Sequence, residues 1–421
     1  MEARSVHKIL VISVGGSVDP VVSSIQQNRP DRIVFVCSDD LETAPGSYHL
    51  VPQILERAGA TDCFNESVRI KEIDDFNVCY TESLRIIERE RKKFGNATLI
   101  VDYTGGTKSM SAGLAAAAMD VPDILLCVMR GLRADLQQVL DGTQRVRLSR
   151  TEATYVRRQE KLLEPLLKRY DYAAAKELVE QLMSTPDLPA ETEERLQRLV
   201  TLCQALDAWD KFDHAKAANL LEPYRKDFYP CILFLEKIQR SLSLLKGEVG
   251  ACSLLRRMHG FEAVEDLLLN AERRAHQQRF DDAVARLYRA IELTGQLLLK
   301  IRHGLDTGDL EVARLPEALQ ARYAERRAAR GKVQLALVEA YTLLAELDSD
   351  CKSVWERWEN ALKNILQLRN YSILAHGFKP IYQDNYETIY RQCVDFIEEM
   401  LRAAGVPWSE NWRERQLPDK L

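Results

Sequence analysis

The chain has 421 residues, of which 46% are hydrophobic and 29% charged, a globular composition that excludes collagen-like, low-complexity and wholly disordered classes. At roughly 150 residues per domain there is room for two or three cores. Lys and Arg number 58 against 63 for Asp and Glu, a net charge of -5, which excludes a protein that coats nucleic acid by bulk electrostatics, so any RNA contact must be local.

The start, Met1 to His7, mixes charges of both signs and runs straight into a strand-like segment, so no secretory signal is expected. The first 150 residues then alternate strand-like and helix-like segments. Lys8 to Val14, Arg32 to Ser38, Val68 to Ile73, Ala97 to Asp102 and Asp123 to Met129 are apolar, β-branched runs. Most are followed by a stretch of helical character, which predicts a Rossmann-like parallel sheet wrapped by helices. Near its end, Leu136 to Leu140 and Arg145 to Leu148 flank Asp141-Gly142-Thr143, the chemistry of a hairpin turn.

From about Thr151 the strand signal disappears, and apolar residues recur at helical spacing, as in Leu162, Leu163, Leu166 and Leu167. The expected architecture is α/β plus all-α: a Rossmann-like domain over 1–150, a helical connector over 151–277 and an all-helical domain over 278–421. Tyr170-Asp171-Tyr172-Ala173, Phe212-Asp213-His214-Ala215 and Phe280-Asp281-Asp282-Ala283 each open an amphipathic helix. The Asp can cap it and the Ala lets a neighbour pack closely. Their unequal spacings favour recurrent helix-start chemistry over a solenoid.

The longest uncharged apolar run, Ser109 to Met119, is far short of the ~20 residues a membrane-spanning helix needs, so a cytoplasmic protein without membrane contact is expected. The nine cysteines stand singly, with no Cys-x-x-Cys pair. No metal site and no disulfide framework is expected.

Two loops at the carboxyl ends of predicted strands carry chemistry. Ser13-Val14-Gly15-Gly16-Ser17 follows the first strand, and Asp102-Tyr103-Thr104-Gly105-Gly106-Thr107-Lys108-Ser109 follows the fourth and enters an Ala-rich helix. Paired glycines let backbone amides approach an anion, a helix N-terminus adds positive partial charge, and Thr and Lys supply donors. The second loop is no Walker A motif, because Thr107 stands where that motif needs Gly before Lys108. On the residues alone, tight turns and ligand binding are both open.

The run from Val101 to Ala118, with Thr104-Gly-Gly-Thr-Lys-Ser-Met110 at its heart, resembles the signature of CARF domains, the sensors of type III CRISPR accessory proteins. The resemblance implies a dimer that holds a cyclic oligoadenylate, tetra- or hexa-adenylate, across the two subunits. It assigns Gly15, Gly16, Ser17, Thr104, Gly105, Gly106, Thr107, Lys108 and Met110 to that ligand, with Asp39 as a further lining residue.

Near the C-terminus lies Arg369-Asn370-Tyr-Ser-Ile-Leu-Ala-His376-Gly377. On a helix Arg369 and His376 share a face two turns apart, with Asn370 beside it, and Gly377 can end the helix. A snorkelling arginine, a capping asparagine and a satisfied histidine make the same pattern. The motif also resembles the Arg-x(4 to 6)-His signature of HEPN nucleases, and its coexistence with a CARF-like loop resembles the CARF-HEPN ribonucleases. That implies an obligate homodimer in which two half-sites face each other on single-stranded RNA.

The chemistry is consistent with this. RNA carries its own nucleophile, the 2′-hydroxyl, so cleavage needs a proton-transfer group, which His376 suits, and a cation against the phosphorane, which Arg369 suits. Asn370 would orient the phosphate or the histidine. No metal or cofactor beyond the cyclic oligoadenylate activator is required, and products with a 2′,3′-cyclic phosphate and 5′-hydroxyl are expected. Glu292, on a polar stripe with Arg286 and Arg289, either pairs Arg369 or belongs to a solvated face. The other histidines are given no role. The competing readings are a sensing regulator with a non-catalytic, partner-binding helical part, and a ring nuclease that degrades its own cyclic oligoadenylate.

Overall fold

The computed structural model describes residues 6–41, 44–130, 145–248, 258–330, 332–370 and 378–421. It opens with β1 (Lys8–Ser13), α1 (Asp19–Asn28), β2 (Arg32–Ser38), α2 (Val51–Ala58), β3 (Phe64–Ile70) and α3 (Phe76–Lys93). There follow β4 (Thr98–Asp102), α4 (Lys108–Ala118), β5 (Ile124–Arg130) and β6 (Arg145–Arg150). The strands form one sheet in the order β3-β2-β1-β4-β5-β6, parallel except for β6.

Central strands of such a sheet are covered on both faces, which is why they read as unbroken apolar runs. Ile9, Val11, Val34, Val36, Leu99 and Val101 pack toward α3 and α4. Leu10, Ile12, Ile33, Phe35, Cys37 and Ile100 pack with Val21, Ile25 and Ile54 of α1 and α2. The polar edge strand is where the pattern misleads. β3 begins four residues before the apolar run Val68 to Ile73 and includes Asn65, Glu66 and Ser67, because it pairs only with β2 and its outer side faces solvent. Of the predicted hairpin, Arg145–Arg150 is a strand antiparallel to β5, while Leu136 to Leu140 lies outside the described residues.

The rest is helical: α5 (Glu152–Gln159), α6 (Leu163–Lys168), α7 (Tyr172–Met183), α8 (Ala190–Asp210), α9 (His214–Leu221) and α10 (Arg225–Leu245), then α11 (Glu262–His276) and α12 (Phe280–His303). The last are α13 (Glu317–Arg330), α14 (Leu337–Leu347), α15 (Ser349–Asn370) and α16 (Gln383–Ala403). By packing, the chain divides into two compact units, residues 1–163 with 178–197, and residues 164–177 with 198–421.

In the second unit α12 is the central element, in contact with α11, α14, α15 and α16. Its Gly295 leaves room for the Tyr341 ring, which a Cβ there would approach to 3.1 Å. The Tyr341 hydroxyl donates to the Ile291 carbonyl at 2.7 Å, and its ring stacks on Trp355 at 5.3 Å and meets Phe396 edge-on at 5.1 Å. This aromatic knot fixes α15, the helix whose last residues are Arg369 and Asn370.

The recurrent helix starts of the sequence correspond to one repeated turn. Tyr170, Phe212 and Gln278 adopt φ of 55°, 64° and 59°. The next N–H in each case, of Asp171, Asp213 and Arg279, reaches back to the carbonyls of Leu166, Ala208 and Arg274 at 2.8 to 2.9 Å. These are Schellman closures. Five residues after each left-handed position comes a fully buried alanine, Ala175, Ala217 or Ala283. The third turn is therefore set two residues earlier than the match at Phe280 suggests.

Candidate functional site

At the carboxyl ends of β1 and β4 the two glycine loops touch through their backbones. A Cβ on Gly105 would lie 2.5 Å from the Ser13 carbonyl oxygen, and one on Gly15 would lie 2.7 Å from the Gly106 nitrogen. Only glycine permits that approach. Gly106 also takes φ of +88°. The Ser13 and Ser111 hydroxyls donate to the Gly105 carbonyl at 2.6 and 2.7 Å, pinning the loop at both ends.

Beneath the loop lies a buried carboxylate. Asp102 Oδ1 accepts from the Thr104 amide at 2.8 Å and from its hydroxyl. Oδ2 accepts from the Ser24 hydroxyl at 2.5 Å and from the Cys127 thiol at 3.2 Å. Burial first, and the adjacent Asp102 charge second, push the Cys127 thiol up, so it stays protonated and donating.

The Thr104 hydroxyl also accepts from the Met129 amide at 2.9 Å. Thr107 caps α4, accepting from the Met110 amide at 3.2 Å and donating to the Ile73 carbonyl at 2.6 Å. Both threonine hydroxyls thus hold the loop in shape rather than reaching out.

A cavity of about 410 Å³ opens here. It brings together Gly15, Gly16, Gly106, Thr107 and Met110 of the sequence-derived set. Ser17, Asp39, Thr104, Gly105 and Lys108 are not among its lining residues. Ser17 and Lys108 are exposed, the latter as the first residue of α4, and Asp39 faces Arg69 across 3.6 Å. A larger cavity, about 800 Å³, lies at the opposite, amino ends of the strands, away from where open parallel sheets bind ligands.

Sequence reasoning reached the segment after β2 only through Asp39 and missed the residues by which it forms a third wall of the smaller cavity, among them Ser38, Gly46, Ser47, His49 and Leu50. Asp40 organises it, accepting from the Gly46 amide at 2.8 Å and the Tyr48 hydroxyl at 2.6 Å, with His49 Nε2 at 3.0 Å. Foremost the Tyr48 hydrogen bond, then the Gly46 amide, lower the Asp40 carboxyl to about 2. The Arg69 guanidinium lies over the Tyr48 ring at 3.9 Å. Gly46 was the available signal, since a Cβ there would meet the Ser38 carbonyl oxygen at 2.4 Å.

In the second unit, Arg369 and Asn370 stand at the end of α15 as described. His376 and Gly377 fall outside the described residues, as do the Arg369 and Asn370 side chains. Among the described residues Glu292 pairs with Arg289, three residues away on the same helix, at 2.8 Å. Beyond the motif, Phe378 is 90% and Tyr382 66% exposed. Among the described residues no group of histidines, cysteines and carboxylates could hold a metal ion, and no helix is long and apolar enough to cross a membrane.

Residues 255–400 match the family model described as the Csm6 HEPN domain. Among solved structures the chain is similar to Csm6 of Enterococcus italicus bound to cyclic hexa-2′-fluoro-hexa-dAMP, with 15% identity, 97% of each chain covered and a TM-score of 0.60. Can2 from Sulfobacillus thermosulfidooxidans, in complex with cyclic tetra-adenylate, matches at 13% identity over 53% of this chain and 69% of that one, with a TM-score of 0.23. A comparison with curated proteins finds no match. The resemblance read from two short motifs holds, in the C-terminal region by the family model and over the whole length by the fold.

Proposed function

We propose that this chain, a CARF-HEPN protein of the type III CRISPR accessory kind, is a metal-independent endoribonuclease for single-stranded RNA, switched on by a cyclic oligoadenylate. The observation that carries the reading is the Csm6 HEPN match over 255–400, which encloses Arg369, Asn370 and His376. In this reading residues 1–150 sense, 151–277 couple and 278–421 cut. His376 moves the proton, Arg369 stabilises the phosphorane, and Asn370 orients one of them. The 2′-hydroxyl attacks the adjacent phosphorus and the 5′-oxygen leaves, giving a 2′,3′-cyclic phosphate.

The sensing half of the proposal is supported by the cavity between the glycine loops and by the cyclic hexanucleotide held by Enterococcus italicus Csm6. A space of about 410 Å³ is on the scale of one small ligand, too small for a ring of four or six nucleotides. Such a ring would extend beyond it, and we assign the activator to a homodimer interface, as the resemblance to CARF domains implies. The test is to incubate the purified protein with labelled RNA and each cyclic oligoadenylate in EDTA. Cleavage dependent on one ring and indifferent to EDTA is expected; cleavage abolished by the chelator and restored by a divalent metal would reject the mechanism.

Lys108→Glu is expected to raise the half-activating ring concentration at least tenfold without changing the maximal rate. Lys108 stands exposed just outside the cavity, at the first turn of α4 beside Thr107, where a ring larger than the cavity would extend. The change therefore turns a proposed charge-assisted phosphate contact, ordinarily about 1.5 to 3 kcal/mol, into a repulsion. Unchanged affinity by calorimetry would place the ligand elsewhere. A coupling energy of ~1 to 3 kcal/mol corresponds to about 5- to 150-fold activation, so a measurable basal rate should accompany the stimulated one.

His49 supports a second reading in addition, that the sensor degrades its own activator. It is a proton-transfer group lining the cavity. Prior incubation with the ring should then exhaust activation in the native protein and not in His49→Ala.

A further inference from the structure

The three Schellman turns, distant in sequence, border a single cavity of about 600 Å³ in the second unit. Tyr170 and Phe212, the left-handed residues of the first two turns, line it, and so do Gln277 and Arg279, on either side of the left-handed residue of the third. Around them stand Arg169, Lys211, Arg274 and Arg286.

The acids of the lining are already engaged. Asp171 accepts from the Ala174 amide at 3.2 Å, Asp207 pairs with Lys211 at 2.6 Å, and Asp210 holds Arg273 and Arg274. The cations are in surplus. Arg279 and Arg286 share the single carboxylate of Asp282, and the exposed Arg169 side chain has no ion pair among the described residues. Arg274 is 8% exposed, and its Nε is buried with no hydrogen-bond partner among the described residues. The Arg286 guanidinium is held below its ordinary value, first by burial and partly by the charges of Arg274 and Arg279. Phe212 is 37% exposed.

Guanidiniums beside an open aromatic face are the means by which proteins hold single-stranded nucleic acid, phosphate on the one and base on the other. An inorganic anion would need neither the ring nor so large a space. We propose that this cavity is an RNA-binding site, taking one or two nucleotides of a single strand with a phosphate against Arg169, Arg274 and Arg279 and a base on Phe212. The choice of RNA rests on the ribonuclease reading. A cyclic oligoadenylate shares the same base-and-phosphodiester chemistry, so the test separates the two.

The full chain carrying His376→Ala, which leaves RNA intact, is titrated with a fluorescein-labelled 12-nucleotide RNA across a range of salt, with and without cyclic hexa-adenylate. Arg169→Glu, at an exposed side chain, is expected to weaken RNA binding about tenfold and to lower the salt slope by about one. Phe212→Asn, which keeps the left-handed backbone, should weaken it about tenfold with the slope unchanged. Ring affinity should be unaffected in both, with the melting temperature confirming folding. RNA affinity unchanged in both variants, no RNA binding at all, or loss of ring binding instead would each overturn the proposal. Cavity-dependent binding in a protein whose native form never cleaves RNA would sink the ribonuclease reading and leave this site standing.

Discussion

Replacing His376 by alanine is expected to lower RNA cleavage by about 100- to 10,000-fold, the range that a positioned general acid or base contributes, while cyclic oligoadenylate affinity stays the same. Arg369→Ala should fall almost as far, because a guanidinium facing the phosphorane acts where charge develops in the transition state and water stabilises it less well. Both belong in the full chain. α11 contributes Val264, Leu268 and Leu269, all fully buried, and packs along α12. A fragment beginning after residue 277 would expose that core and confuse misfolding with inactivity. Near-native cleavage by His376→Ala, in protein with unaltered circular dichroism, would mean that the motif is only a helix end.

The sheet was legible because its strands are buried on both faces. β1, β2, β4 and β5 announce themselves by unbroken apolar runs such as Ile9 to Ile12, whose alternate side chains enter two different cores. β3 was displaced because an edge strand follows a weaker rule. Of the candidate site, the glycine loops were visible since backbone contact between Gly15 and Gly106 leaves a sequence trace. The hydroxyls between them have a structural task that the sequence does not display: Thr104 and Thr107 have the chemistry to meet a phosphate, and Asp102 and the Ile73 carbonyl take their protons. His49 was invisible because what gives it a place, Asp40 nine residues away and the return of its segment beside the loops, is tertiary. The helical repeat was half legible. The aromatic-Asp pairs mark two turns, whereas the third puts Gln278 at the left-handed position, and only backbone geometry and the buried alanines align all three.

Gly105→Ala is expected to raise the half-activating concentration of cyclic oligoadenylate by about 100-fold or more while leaving the basal rate of RNA cleavage in place. The added methyl would meet backbone on every near side: the Ser13 carbonyl oxygen at 2.5 Å, the Gly15 nitrogen at 3.1 Å and the Ser13 carbonyl carbon at 3.3 Å. No rotamer relieves such a contact, so the loops after β1 and β4 must part by a fraction of an ångström to an ångström, and misplacements of that order cost about 100-fold where several groups must meet one ligand at once. Overpacking of this kind also costs about 1 to 3 kcal/mol, visible as a lower melting temperature of the unit that holds the sheet. Gly16→Ala separates positioning from contact. Gly16 lines the same cavity, but a Cβ there meets nothing within 4 Å, so its melting temperature should be unchanged and any loss of ring affinity modest. Because the HEPN motif lies in the other compact unit, the basal rate reports that unit alone. If Gly105→Ala responded to the ring as the native protein does, the close approach of the two glycine loops would be a feature of folding only, and the activator site would have to be sought away from the carboxyl ends of β1 and β4.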